Sequence, residues 1–437
     1  MAPVPQTVAS GVLALVLLAC ARAPELVIPH SRRTARADRP AACLSVASEQ
    51  PLQPALDRAT PGEVLCLGEG TWVGSVVVPR GVGIWGTERS RLRTDGSGTT
   101  VLLQDGTSLT GVTVDGSGGR FDVLDAAVKV HGDDVRVEGV TVVHSVFGIL
   151  VEKSKRATIR GNRVHGIGGP SLGMRGDGIR LWETNDSLVE DNEVEQARDC
   201  VVWYSSRNVL RGNEVREGRY GVHLMYSHSN RLEKNRFVAN EVGIFAMYSR
   251  NLLVADNQML FSRGAAGIGM GMKESGNVTV RGNLLAYNTQ GFFLDNSPLV
   301  EGDRNVFEHN VVRLSEVGIG FLSSEHDNLF RRNILRDNTA QVRVDAGGDA
   351  LGVSWEGNAW SDYAGYDLDG DGVGDLPYEL KDLSGALTAR HPDLAFLRGT
   401  LALALVGVAG EVVPLFAPKP ILRDPAPRMN LEVADAD

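Results

Sequence analysis

His223, Met225 and Met247 have side chains whose types and spacing could hold a soft metal ion. Thioether and imidazole are polarisable donors, and together they suit Cu(I). Free thiolates are poor permanent ligands in an oxidising compartment, which favours Met and His there. Met225 and Met247 lie 22 residues apart, and His228 and Met272 fall near the same pattern. The candidate copper set is therefore His223, Met225, His228, Met247 and Met272. A competing reading has the methionines covering a docking face or filling gaps in packing.

A second constellation is made of hard donors. Asp367, Asp369, Asp371, Gly372 and Asp375 match the first nine positions of a calcium-binding loop of the EF-hand type. Tyr378 stands where the bidentate Glu would be. A structural Ca²⁺ is the expectation, and a solvated acidic turn the alternative. Cys43 and Cys66 each sit in a short strand-like run. They could clamp the first turn as a disulfide, or be two small buried hydrophobes. Cys200 falls at a repeat boundary and reads as buried and inert. His131, His144 and His165 are scattered singly and read as structural. The run 294–298 (Leu-Asp-Asn-Ser-Pro) reads as a turn.

These residues need elements to bring them together, and the strongest periodic signal supplies them. An Asn closing a short apolar run recurs at 162, 192, 213, 235, 257, 283, 310, 333 and 358. A pair made of a small residue and a β-branched or aromatic one falls between these positions, as at 178–179, 200–201, 221–222 and 243–244. Each repeat thus holds two or three strands too short to bury an apolar face alone. Coiled and stacked about 4.8 Å apart, they bury one continuous core, with the Asn side chains forming a ladder along the axis. The expected fold is an all-β, right-handed parallel β-helix, with a short C-terminal helical or extended segment. Met225 and Met247, one turn apart, would then stack in one column.

Aligning repeats on Gly178, Cys200, Gly221 and Gly243 divides the faces by strand alternation. Ile179, Val201, Val222 and Ile244, then Leu181, Trp203, Leu224 and Ala246, are expected inward. The outward pairs are Arg180 with Trp182, Val202 with Tyr204, His223 with Met225, and Phe245 with Met247. An outer stripe this apolar usually meets a partner or a ligand.

The expected organisation is a signal peptide at 1–20, a tether at 21–42, the β-helix at 43–365, the Asp-rich loop at 366–380 and a partner-docking segment at 381–437. Residues 11–19 are apolar but too short to span a bilayer, which reads as a secretory signal. Residues 17–20 (Leu-Leu-Ala-Cys) resemble a lipoprotein box in which Cys20 would carry lipid. The apolar run 400–410 suits an amphipathic helix on a partner or membrane surface. A formal charge of −10 with no long basic run argues against a nucleic-acid partner.

Several segments together resemble the NosD family. They are 176–182 (GDGIRLW), 219–228 (RYGVHLMYSH), 246–250 (AMYSR), 271–273 (GMK), 294–298 (LDNSP) and 357–363 (GNAWSDY), the last leading into the Asp-rich loop. The likeness extends over roughly residues 50 to 425. It implies a periplasmic, non-enzymatic factor that helps mature the copper centre of nitrous-oxide reductase. Expected partners are the membrane subunit of an ABC transporter with its separate ATPase, a copper donor protein, and the reductase itself. No phosphate-binding G-x-x-x-x-G-K-[ST] motif is present, so ATP would be handled by another chain. Two other functions fit the repeat alone: a carbohydrate-active β-helix (lyase or epimerase) and a metal-free docking scaffold.

Overall fold

The computed structural model describes residues 38–431, apart from 49, 170, 382–386, 388–390, 398–399, 404 and 407–419. The lipoprotein box at Cys20 lies outside the described residues, as do 404 and 407–410 of the apolar run 400–410. Short strands run from Leu44–Val46 to Ala359–Trp360 and stack into three parallel walls of 14, 12 and 13 strands. This is the expected parallel β-helix. A helix at Leu52–Arg58 buries Leu52 and Leu56 against the first turns. The Cys43–Cys66 disulfide joins the first turn to the second, beside the Leu44–Val46 and Val64–Leu67 pairing.

Two devices turn the sequence repeat into a coil. The residue before each ladder Asn adopts a left-handed conformation, whether it is Gly (Gly212, φ 65°) or a polar residue (Lys234, φ 54°). That corner turns the next Asn inward. Its amide then satisfies buried backbone groups on both neighbouring turns. Asn213 donates its backbone N–H and a side-chain N–H to Asn235 Oδ1 (3.0 and 2.9 Å), and its other side-chain N–H to the Val189 carbonyl (2.9 Å). The pattern continues from Asn162 to Asn358, where Asp424 closes it by accepting two N–H groups of Asn358 at 3.0 Å. A buried amide unpaired at any turn would be costly, so the ladder also fixes the register. Asp424 belongs to the strand Pro420–Asp424, which pairs antiparallel with Tyr378–Lys381.

The 12-stranded wall contains the candidate copper residues. Its inward column runs Leu181, Val202, Leu224, Ala246, Met272 and Leu294. The expected phase of one repeat is corrected here. Val201 and Trp203 stand in the outward columns, Val201 paired with Arg180 and His223 and Trp203 with Trp182 and Met225, while Val202 takes the inward place. Cys200 is not the small residue of the repeat. It occupies the inward position itself, and the register shifts between Asp199 and Val201 against the next strand. Met272 is also inward, 1% exposed, between Ala246 and Leu294. The Gly267-Ile-Gly-Met-Gly run has an ambiguous phase, and Gly269 rather than Gly267 is the partner of Gly243, whose neighbour Val242 pairs with Ile268.

Candidate metal centre

The register shift creates the site. Strand alternation alone would put Tyr220 and His223, three residues apart, on opposite faces. The extra residue in the strand Tyr220–Met225 acts as a bulge and aims both outward. Gly221 permits it, since a Cβ there would lie 2.4 Å from the Gly243 carbonyl oxygen and 2.4 Å from the Phe237 ring. The Tyr220 ring consequently stacks on the His223 imidazole, with centroids 4.8 Å apart at 27°.

His223 is held at both ring nitrogens. Trp203, one turn back, donates its indole N–H to Nδ1 at 3.3 Å. Met247, one turn forward, places Sδ 3.2 Å from Nε2. Met225 lies in the outward column between them, paired with Trp203 on one side and Met247 on the other. Phe245 follows His223 in its own column. The Phe245 ring lies over Gly271, where a Cβ would meet it at 2.4 Å, so only Gly fits beneath. The structure thus brings together His223, Met225 and Met247, with aromatic rings around them.

The electrostatics keep the imidazole neutral. Burial pushes the His223 pKa down to about 4, partly opposed by the Asp199 carboxylate and helped by the Arg219 cation. Neutral imidazole is the form that binds metals. Arg219 is itself engaged with Asp199, its Nε donating at 3.0 Å, and lies over the Tyr220 ring at 4.9 Å. Burial drives the Cys200 thiol up to about 12, and the side chain faces the core, so it offers no thiolate to this wall.

His228 does not join the group. It lies past the left-handed corner at Tyr226, and its Nδ1 accepts the Arg250 backbone N–H at 3.1 Å. Met272, enclosed in the core, does not join either. The column beyond Met247 continues instead with Lys273 and Asp295, paired at 3.1 Å.

Three features escaped the sequence reading. Trp203 is a direct partner of His223; only the one-residue deviation at Cys200 could have signalled it. A tyrosine ladder lines the adjacent corner, with Tyr204, Tyr226 and Tyr248 stacked at 5.5 and 4.8 Å and nearly parallel. Each precedes an inward Ser that links the turns, as Ser205 N–H donates to Ser227 Oγ and Ser227 N–H to Ser249 Oγ. The row ends at Glu325, whose carboxylate accepts the N–H groups of Asn296 and Ser297 at 2.7 and 3.0 Å. Of the run 294–298, Leu294 and Asp295 close the strand Gln290–Asp295 and the corner begins only at Asn296 (φ 49°); the distant carboxylate that receives it was not legible.

In the Asp-rich loop, carboxylate oxygens of Asp367, Asp369 and Asp371 lie within 4.8 Å of one another. Asp367 also accepts the N–H groups of Gly370 and Gly372, and the Gly372 N–H chiefly lowers its pKa. Asp375 stands outside that group and accepts the Leu368 N–H at 2.7 Å. Tyr378, at the twelfth position, is buried and stacks on Trp360 at 4.4 Å. His144 pairs with Asp115 and His165 with Glu195, in keeping with structural roles.

Residues 166–365 match the family model described as "Periplasmic copper-binding protein (NosD)". The chain is similar to the "Probable ABC transporter binding protein NosD" of Stutzerimonas stutzeri, 26% identical over 355 residues, covering 78% of this chain and 80% of the relative. It is also similar to the protein of that name from Pseudomonas aeruginosa, 27% identical over 408 residues, covering 84% and 89%. Among solved structures, the catalytic unit of a thermostable GH87 alpha-1,3-glucanase from Streptomyces thermodiastaticus matches with a TM-score of 0.54 and 13% identity, covering 74% of this chain and 67% of that one. At that identity the likeness speaks to the fold alone.

Proposed function

Taking as premise that the chain belongs to the NosD family, we propose that it is a periplasmic assembly protein that receives and hands on Cu(I) at His223, Met225 and Met247. The observation that carries this reading is the convergence of a neutral imidazole and a thioether, Nε2 and Sδ 3.2 Å apart, with a second thioether in the same column. All three donors are uncharged at neutral pH, so loading Cu(I) requires no net release of protons from them. Two thioethers and one imidazole make a soft, low-charge set, suited to holding a monovalent ion for transfer.

The names of the relatives support work alongside an ABC transporter. In this reading, a copper donor protein loads the wall, and the ion passes toward nitrous-oxide reductase while the chain is docked on the transporter's membrane subunit. No described helix is long and apolar enough to cross a membrane. Ca²⁺ at Asp367, Asp369 and Asp371 would stiffen the loop beside the last turn without touching the copper wall.

Catalysis of sugar cleavage is the less favoured reading. Two carboxylates of this wall, Asp177 and Asp199, are each 1% exposed in their side chains and engaged by Arg198 and Arg219. Neither is free to act as acid or base on a bulky substrate.

Anaerobic Cu(I) titration against a competing chelator tests the proposal. Met225→Ala with Met247→Ala should weaken binding by about two orders of magnitude, or about 3 kcal/mol. Met272→Leu, a substitution in the core, should leave affinity unchanged. Equal affinity of the double variant and the wild type would remove the site.

A further inference from the structure

The hydrogen bond from Trp203 has a consequence for how His223 meets a metal. An indole N–H can only donate, so His223 Nδ1 must accept it. A neutral imidazole carries one N–H, which therefore sits on Nε2 and points at Met247 Sδ, 3.2 Å away. Yet a metal ion needs a ring lone pair, and in this tautomer the nitrogen beside the thioethers has none to give.

We propose that Trp203 is a latch that holds His223 in the tautomer unable to bind metal, so that loading the site requires its release. This deepens the copper reading and rests on it. The step balances without oxidation. As Nε2 forms its bond to the ion, its hydrogen leaves, and a hydrogen from solvent joins Nδ1. The imidazole stays neutral, and the two N–H groups, indole and Nδ1, can no longer face each other. Trp203 must then turn its N–H away.

Stacking restrains the imidazole, whereas the bond from the indole depends on its orientation. The Tyr220 ring stacks on one face of the imidazole and resists its flipping. Trp203 meets the imidazole edge-on at 5.5 Å and 87°, so a small rotation of the indole breaks the bond without unstacking His223. Arg180 lies over both Trp203 and Trp182, at 5.5 and 4.6 Å, and Trp182 flanks Trp203 at 5.8 Å. The indole thus belongs to a layer of rings and a guanidinium that continues away from His223. The latch makes the empty site self-satisfied, with each polar atom of the imidazole occupied, and makes the ion easier to hand on than its donor set alone would allow.

The test uses the full chain with ¹⁵N-labelled indoles and Ag(I) as a redox-inert probe of the Cu(I) site. The Trp203 resonance, one of six tryptophans, is assigned by its loss in Trp203→Phe. One equivalent of Ag(I) should shift that resonance to the position of a solvent-facing indole. Trp203→Phe, which keeps an aromatic ring but has no donor, should bind Ag(I) about fivefold more tightly, equivalent to about 1 kcal/mol for the lost hydrogen bond. A merely structural Trp203 gives the opposite sign, since its loss loosens the site. An unmoved resonance at saturation would overturn the latch, as would equal or weaker binding by Trp203→Phe. Binding by His223→Ala at wild-type affinity would overturn the copper reading itself. These failures are distinguishable.

Discussion

At the scale of single residues, function and register compete for the same wall. His223, Met225 and Met247 were legible from type and from a spacing of one turn. Met272 was not, because the glycine-rich run before it could be phased in two ways, and the core column took the methionine. Trp203 was hidden by a repeat one residue short. Glu325 shows how far a partner can lie in sequence from the turn it supports. It is buried, and burial raises its pKa to about 7, outweighing the Ser297 and Asn296 N–H groups that favour the anion. Its folded pKa therefore lies above its unfolded value of 4.5. The stability this gives is complete below pH 4.5 and is lost as pH rises through about 7. Glu325→Gln does not titrate. Relative to wild type it should gain on the order of 3 kcal/mol between those limits. Urea unfolding at both pH values reads the difference; a constant gap would mean that the carboxylate is ionised throughout.

At the scale of elements, no strand in this chain is stable by itself. Most have three to six residues, and the corners between them are left-handed at residues that are often not glycine. The ladder amides make those corners worthwhile. The ladder was readable because Asn recurs behind a turn-forming residue, whereas its terminator was not. Asp424 lies 66 residues beyond Asn358, after a segment that breaks the pattern. Asn235→Ala should leave the Asn213 N–H groups and the Leu210 carbonyl without partners. A loss of about 3 kcal/mol is expected, seen as a lower unfolding midpoint with fast hydrogen exchange centred on the turns on either side. A cost confined to a few tenths would mean that stacking alone sets the register.

At the scale of the whole molecule, the solenoid is a scaffold with two closed ends and one specialised wall. The fold class followed from the repeat, because only stacking can bury strands this short. The Cys43–Cys66 pairing was left open by the sequence, since spacing gives no Cα separation, and the structure sets it at 5.6 Å. With its ends 23 positions apart in sequence, the bond is expected to contribute about 3 kcal/mol by restricting the unfolded chain. Replacing both cysteines with Ser should therefore lower stability while leaving Cu(I) affinity intact, because the site lies many turns away. Coupled loss of affinity would show that the wall depends on the clamped end.

The most direct test of the copper reading is X-ray absorption spectroscopy on the full chain loaded with one equivalent of Cu(I). The expected spectrum is a mixed shell of thioether sulfur and one imidazole nitrogen. Its sulfur contribution should fall in Met247→Ala and its imidazole scattering should vanish in His223→Ala. A shell of oxygen or thiolate donors, unchanged by either substitution, would contradict it.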